Sequence, residues 1–170
     1  MGLLAVDPID PEKICVHFDI VLLKLSELDC NSSSFFGTNR STFSAMIVPC
    51  GLRTAIVHND SHHSYRQRSN ICHELAHCFL GHQCTPPLTE DGERVHDGRI
   101  EAEANFLAGA LLIPNEAAIH IIRQGLLSTA QSIYGVSQQM LGYRLRVSGA
   151  HTIHSRFVHA VRRRRHSATP

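Results

Sequence analysis

The chain has 170 residues, 43% hydrophobic and 18% charged, with a formal net charge of +1. That length suits one domain with a real hydrophobic core, and the even charge excludes a bulk polyelectrolyte partner. No apolar run nears the ~20 residues of a membrane span; the longest, residues 106–113, has eight.

The first residues, Met1-Gly2-Leu3-Leu4-Ala5-Val6, lack a basic n-region and a long apolar stretch, so no signal peptide is expected. Val6 misses the myristoylation pattern. The expected location is the cytoplasm. Asp10 can cap a short helix with Pro11 at its first position, carrying Ile14 and Cys15 inward. Asp19 to Leu25 reads as a strand or short apolar segment. Residues 26–42 are polar and read as loop. Phe43 to Val48, the turn Pro49-Cys50-Gly51 and Arg53 to His58 predict a β-hairpin. Asn59 to Ser64 ends it and caps the next helix, Tyr65 to His82, leaving His62 and His63 as exposed loop residues.

Residues 83–98 form a long polar connection, of the kind that often borders a site. A helix from Gly98 to Leu112 follows, with Ile100, Ala104, Leu107, Ala108 and Leu111 on its core face. Pro114-Asn115 opens another to Gln124, closed by Gly125. Leu127 to Tyr134, Gly135-Val136-Ser137 and Gln138 to Val147 read as helix-turn-helix, with Ser137 as the second cap. Residues 1–148 are expected to form one domain. Residues 149–170, with the basic run Arg162 to Arg165, are expected to be a disordered tail.

The chemistry sits at His73-Glu74-Leu75-Ala76-His77. Two histidines four apart share one face of a helix, one turn from each other, so both can reach one metal ion. Glu74 points about 100° away and can reach a water on that ion. This is H-E-x-x-H: two zinc ligands and a general base. The flanks Ile71, Cys72, Leu75, Ala76, Cys78, Phe79 and Leu80 are apolar on nearly every side. Two imidazoles and a carboxylate buried there without partners would cost several kcal/mol, and a metal resolves that cost.

The six cysteines (15, 30, 50, 72, 78 and 84) contain no C-x-x-C pair. They read as reduced, mostly buried hydrophobes, with Cys72 and Cys78 the alternative ligands to watch.

A catalytic zinc needs a third protein ligand. A metzincin would require glycine at 80 and histidine at 83, where the chain has Leu80 and Gln83. His82 is expected on the far side of the helix from the 73/77 pair, as a core-edge or capping histidine. The following helix offers Glu101 and Glu103. Two residues apart means about 200° of rotation, so one alone can face the metal. Glu101 shares a face with Asn105 and Ala108 and is the expected ligand; Glu103 is expected on a solvated face. Asn105 could then hydrogen-bond a ligand imidazole and fix its tautomer.

Arg66-Gln67-Arg68 before Cys72-His73-Glu74-Leu75-Ala76-His77 resembles the ImmA/IrrE-type metallopeptidases. So do Glu101-Ala102-Glu103-Ala104-Asn105-Phe106-Leu107-Ala108 and Leu111-Leu112-Ile113-Pro114. Val136-Ser137 and Arg144-Leu145 look like that family's C-terminal helical part. The likeness covers roughly residues 8–148. Ser69-Asn70-Ile71-Cys72 departs from the usual Phe-Thr-Leu. The resemblance implies an α+β fold: a small antiparallel sheet packed on a helical, thermolysin-like (gluzincin) core. It implies a metal, zinc or alternatively manganese, on His73, His77 and Glu101, with Glu74 as base. It implies cleavage of a helix-turn-helix transcriptional repressor, in a stress response or mobile element.

The rival reading is a non-proteolytic, metal-stabilised anti-repressor or binding module. Direct nucleic-acid binding through residues 127–148 is disfavoured, because Gln138 to Val147 holds just two arginines, Arg144 and Arg146. Tyr143, Tyr65 and His58 are candidate oxyanion donors, and no spacing selects among them. Oligomeric state, cut site and activating signal are not written in these patterns.

Overall fold

A computed structural model of the chain describes residues 2–28, 43–82 and 97–167. Most of the expected loop at 26–42 and of the connection at 83–98 lies outside them. The chain divides into two compact units, Ile9–Leu112 and Gly2–Pro8 with Ile113–Pro170. This partition differs from the single 1–148 domain expected from the sequence.

The first unit is α+β. Helix α1 (Pro11–His17) begins where Asp10 Oδ1 accepts from the Glu12 backbone N–H at 3.1 Å, with Pro11 in the first turn. It ends through Asp19, a non-glycine residue at φ 54°, a left-handed conformation that Asp tolerates better than most. The Ile20 N–H then reaches back to the Cys15 carbonyl at 2.8 Å and turns the chain into strand β1 (Val21–Lys24). Strands β2 (Ala45–Cys50) and β3 (Arg53–His58) form the expected hairpin, β2 two residues later than expected and β3 with the expected bounds. Cys50 pairs with Arg53, so Gly51-Leu52 is the loop. Gly51 sits at φ 63°, which the first position of a two-residue hairpin loop favours. Pro49 fits because β2 lies at the sheet edge.

The sheet is mixed, not antiparallel. Its order is β1-β3-β2, and β1 runs parallel to β3, with Val21 opposite Ala55 and Lys24 opposite His58. The hairpin leaves one edge of β3 open, and a strand from far back in the chain docks there. Turn residues specify the hairpin locally, but nothing local specifies the direction of a distant partner. Central β3 buries Ala55, Ile56, Val57 and His58.

Helix α2 (Ser64–Leu80) carries His73 to His77. His63 caps it, Nδ1 accepting from the Tyr65 N–H at 3.2 Å. Gly81, at φ 66°, ends it two residues before the expected stop. Buried Asn59 braces the approach: its Nδ2 donates to the Phe43 carbonyl, and its Oδ1 accepts from the Ser61 N–H and hydroxyl. Helix α3 (Gly98–Leu112) starts under Asp97, whose Oδ1 accepts from the Arg99 N–H at 2.9 Å. Its buried face is small, Ala104, Ala108 and Gly109 with Leu112, and it packs along α2. Ile14, Cys15, Ile56, Ile71 and Leu75 form the core cluster between α1, the sheet and α2.

The second unit is helical. It comprises α4 (Asn115–Gln124), a 3-10 turn (Leu126–Ser128), α5 (Ala130–Tyr134), α6 (Gln138–Val147) and α7 (Ala150–Ser167). Ser137 caps α6, its Oγ accepting from the Met140 N–H at 3.2 Å. Ile113, Ile121, Tyr134, Val136 and Leu141 are buried. Tyr134 donates its hydroxyl to the Val6 carbonyl at 2.9 Å and so ties residues 2–8 into this unit.

Helix α7 corrects the expected disordered tail. Ala150, His154, Val158 and Val161 recur at helical spacing and form the less exposed side. The helix packs on α4 and α6, and the Arg123 guanidinium lies 4.9 Å from the centre of the Phe157 ring. The basic run downstream hid that stripe.

Candidate metal centre

Two adjacent turns of α2 and the first turn of α3 bring three side chains together. His73 Nε2 and His77 Nε2 are 3.0 Å apart. Glu101 closes the triangle, Oε2 3.2 Å from His73 Nε2 and Oε1 3.6 Å from His77 Nε2. Glu101 is the carboxylate the sequence favoured, and it is the one that turns to the pair.

The donor set fits a cation. Ligand atoms 2.0–2.2 Å from a tetrahedral centre stand roughly 3.3–3.6 Å from one another, and two imidazole nitrogens with a carboxylate oxygen are a zinc-type set. Three lone-pair atoms facing each other repel unless a proton or a cation lies among them. Asn105 Oδ1 lies 3.1 Å from His73 Nδ1. A proton on that nitrogen satisfies Asn105 and frees the His73 Nε2 lone pair. His73, His77 and Glu101 could therefore hold a metal ion.

Electrostatics point the same way. Burial, with His73 beside it, pulls the His77 imidazole below its usual pKa, which favours the neutral ring a metal requires. Burial and the charge of Glu101 push the Glu74 carboxyl up to about 7. A carboxyl in that range is matched to proton transfer near neutral pH.

One neighbour was misjudged from the sequence. His82 is not on the far side of the helix: its Nδ1 lies 2.9 Å from His77 Nδ1. Helical rotation stops at Gly81, whose left-handed turn swings the next residue back over the last turn, where the His82 N–H meets the His77 carbonyl at 3.0 Å. A glycine directly before His82 was the available signal. Glu103 is exposed, as expected, and its Oε2 also lies 3.5 Å from His82 Nε2.

The remaining candidates of the first unit fall elsewhere. Cys72 faces the core as a free thiol pushed up to about 12 by burial, the opposite of a ligand thiolate. Neither Cys72 nor Cys78 joins a metal-binding group among the described residues. His62 Nδ1 lies 3.4 Å from Asn70 Nδ2, and His63 is the helix cap. Tyr65 sits two turns before His73, about 12 Å along the helix. His58 is buried at the end of β3. Tyr143 lies in the second unit. Arg144, one of the two arginines of the supposed recognition segment, is buried, donating to the Ile113 carbonyl at 2.9 Å and to Asn115 Oδ1 at 2.8 Å.

No single helix among the described residues is long and apolar enough to cross a membrane. A family model, Peptidase_M78, described as the IrrE N-terminal-like domain, matches residues 17–146. No curated protein and no solved structure matches the chain.

Proposed function

The chain belongs to the IrrE N-terminal-like family, Peptidase_M78, with its metallopeptidase-type domain, and on that premise we propose a metal-dependent endopeptidase. His73, His77 and Glu101 hold the ion, zinc with manganese as the alternative, and Glu74 is the general base. The observation that carries this reading is the convergence of two imidazole nitrogens and a carboxylate within 3.0–3.6 Å, next to a carboxyl pushed up to about 7.

When bound, the cation supplies Lewis acidity toward water and toward the peptide carbonyl. Glu74 takes the proton from the attacking water and later returns it to the leaving amine. Asn105 keeps the His73 proton on Nδ1, leaving Nε2 as donor. The α2–α3 pair around this centre supports a gluzincin-type core.

The substrate we propose is a helix-turn-helix transcriptional repressor, and cleavage relieves repression. The burial of Arg144 supports a protein substrate over nucleic acid, because it removes half of the cationic side chains of the α6 segment.

The test is to incubate zinc-loaded protein with a candidate repressor, with and without chelator, and measure fragment masses. Two fragments that vanish with chelator are expected. Glu74→Gln should retain zinc while losing at least about 10³-fold in cleavage rate. His73→Ala and His77→Ala should lose the zinc itself. A repressor sequestered at full length would favour the non-proteolytic anti-repressor.

A further inference from the structure

The contacts behind His77 form a line: His77 Nδ1 to His82 Nδ1 at 2.9 Å, then His82 Nε2 to Glu103 Oε2 at 3.5 Å. We propose that His82 and Glu103 are positioning residues that set the tautomer of His77 and hold it as a metal ligand. This inference rests on the metallopeptidase reading and deepens it.

Two ring nitrogens at hydrogen-bond distance require a proton on one and a lone pair on the other. There are two ways to arrange this between neutral rings. If His82 donates from Nδ1, its Nε2 is a bare lone pair facing the Glu103 carboxylate. His77 then carries its own proton on Nε2, aimed at His73 and Glu101, and cannot bind a cation. If His77 donates from Nδ1, His82 holds its proton on Nε2 and presents it to Glu103. His77 Nε2 is then a free lone pair on the side of the other two donors.

A carboxylate accepts and does not donate, so Glu103 favours the second arrangement, against Glu101 and His73, whose lone pairs favour a proton on His77 Nε2 until a cation takes its place. At 3.5 Å Glu103 acts on His82 through its negative charge, which favours the Nε2–H form. Glu103 is half exposed, whereas the His82 side chain is largely buried, so the histidine carries the effect inward from a carboxylate that stays hydrated.

The same logic operates on His73 through Asn105 with one intermediary fewer. The two imidazoles are thus held by different devices, a direct amide on one and a histidine-carboxylate line on the other. Gly81 makes the second device geometrically available, because its left-handed turn places His82 over the last helical turn.

The experiment measures zinc affinity by chelator competition for the full chain and for His82→Phe, Glu103→Ala and Glu103→Gln. Partners that orient a metal-bound histidine are worth about 10–100-fold in affinity. His82→Phe is expected to lose within that range, and Glu103→Ala and Glu103→Gln less, since each removes the charge but keeps His82. Long-range ¹⁵N correlation on the metal-free proteins reads the tautomer: the share of His77 protonated on Nδ1 is expected to be higher in wild type than in His82→Phe and Glu103→Ala.

A merely structural role would lower melting temperature without moving the tautomer. Variants that bind zinc within about twofold of wild type, or show the same His77 Nδ1 share as wild type, overturn the proposal. In either case, wild type that binds zinc and cleaves leaves the metallopeptidase reading standing. Wild type that takes up no zinc overturns that reading and the proposal together.

Discussion

At the residue scale, His58 is the most exacting side chain outside the metal centre. It is buried on β3, and its Nδ1 has no hydrogen-bond partner among the described residues. Burial lowers its pKa, an effect that nearby Asp60 partly offsets. The folded state therefore resists a proton that the unfolded chain accepts. Stability attributable to His58 is complete above the unfolded value and is lost as pH falls through it toward the folded one. One proton can contribute at most about 1.4 kcal/mol per pH unit. Melting temperatures from pH 7.5 to 5 should fall less steeply for His58→Gln than for wild type; equal slopes would refute the assignment. Residue-level legibility followed the helix period. His73, His77, Glu101 and Asn105 lie within regular turns, so their relative directions could be worked out. His82 lies one residue beyond a left-handed glycine, where the period no longer applies.

At the element scale, the most informative feature is the end of α2. Gly81 sits at φ 66° with nothing among the described residues within 4 Å of where a Cβ would lie. Alanine there meets no steric obstacle and bears the backbone cost alone, about 1 kcal/mol. Gly81→Ala should lower the melting temperature by a few degrees, measured by circular dichroism. No loss would mean the cap is dispensable. Elements written by local chemistry were readable: the Asp10 cap with Pro11, the hairpin around Gly51, and the Ser137 cap. Elements set by distant partners were not. The parallel docking of β1 on β3 depends on an edge created more than twenty residues later. Helix α7 has an amphipathic stripe, but Arg162 to Arg165 dominate its composition, and charge runs usually read as solvated tail.

At the scale of the whole molecule, all three candidate ligands belong to the unit Ile9–Leu112. Zinc that binds the folded state alone stabilises by mass action, about 4 kcal/mol at a thousand times its dissociation constant. Titration with zinc should raise the melting temperature of wild type and leave His77→Ala unmoved. Hydrogen exchange should show the added protection concentrated in α2 and α3. Protection spread evenly over α4 to α7 would contradict a centre confined to the first unit. The partition itself was hidden because residues 2–8 belong with a partner more than a hundred positions away, a pairing no local pattern announces.

The bond from Tyr134 to Val6 has a consequence for biosynthesis. Its two ends are separated by 128 positions. At roughly 5–20 residues per second, ribosomes would need on the order of ten seconds to travel between them. Throughout that interval the segment Gly2–Pro8 waits for a seat not yet made, and over its last stretch, past Leu112, everything required for the unit Ile9–Leu112 has been translated. Nascent chains arrested before Ala130 should therefore be nicked by added protease within their first eight residues, and full-length chains should resist. Tyr134→Phe should leave that stretch partly cuttable even after release.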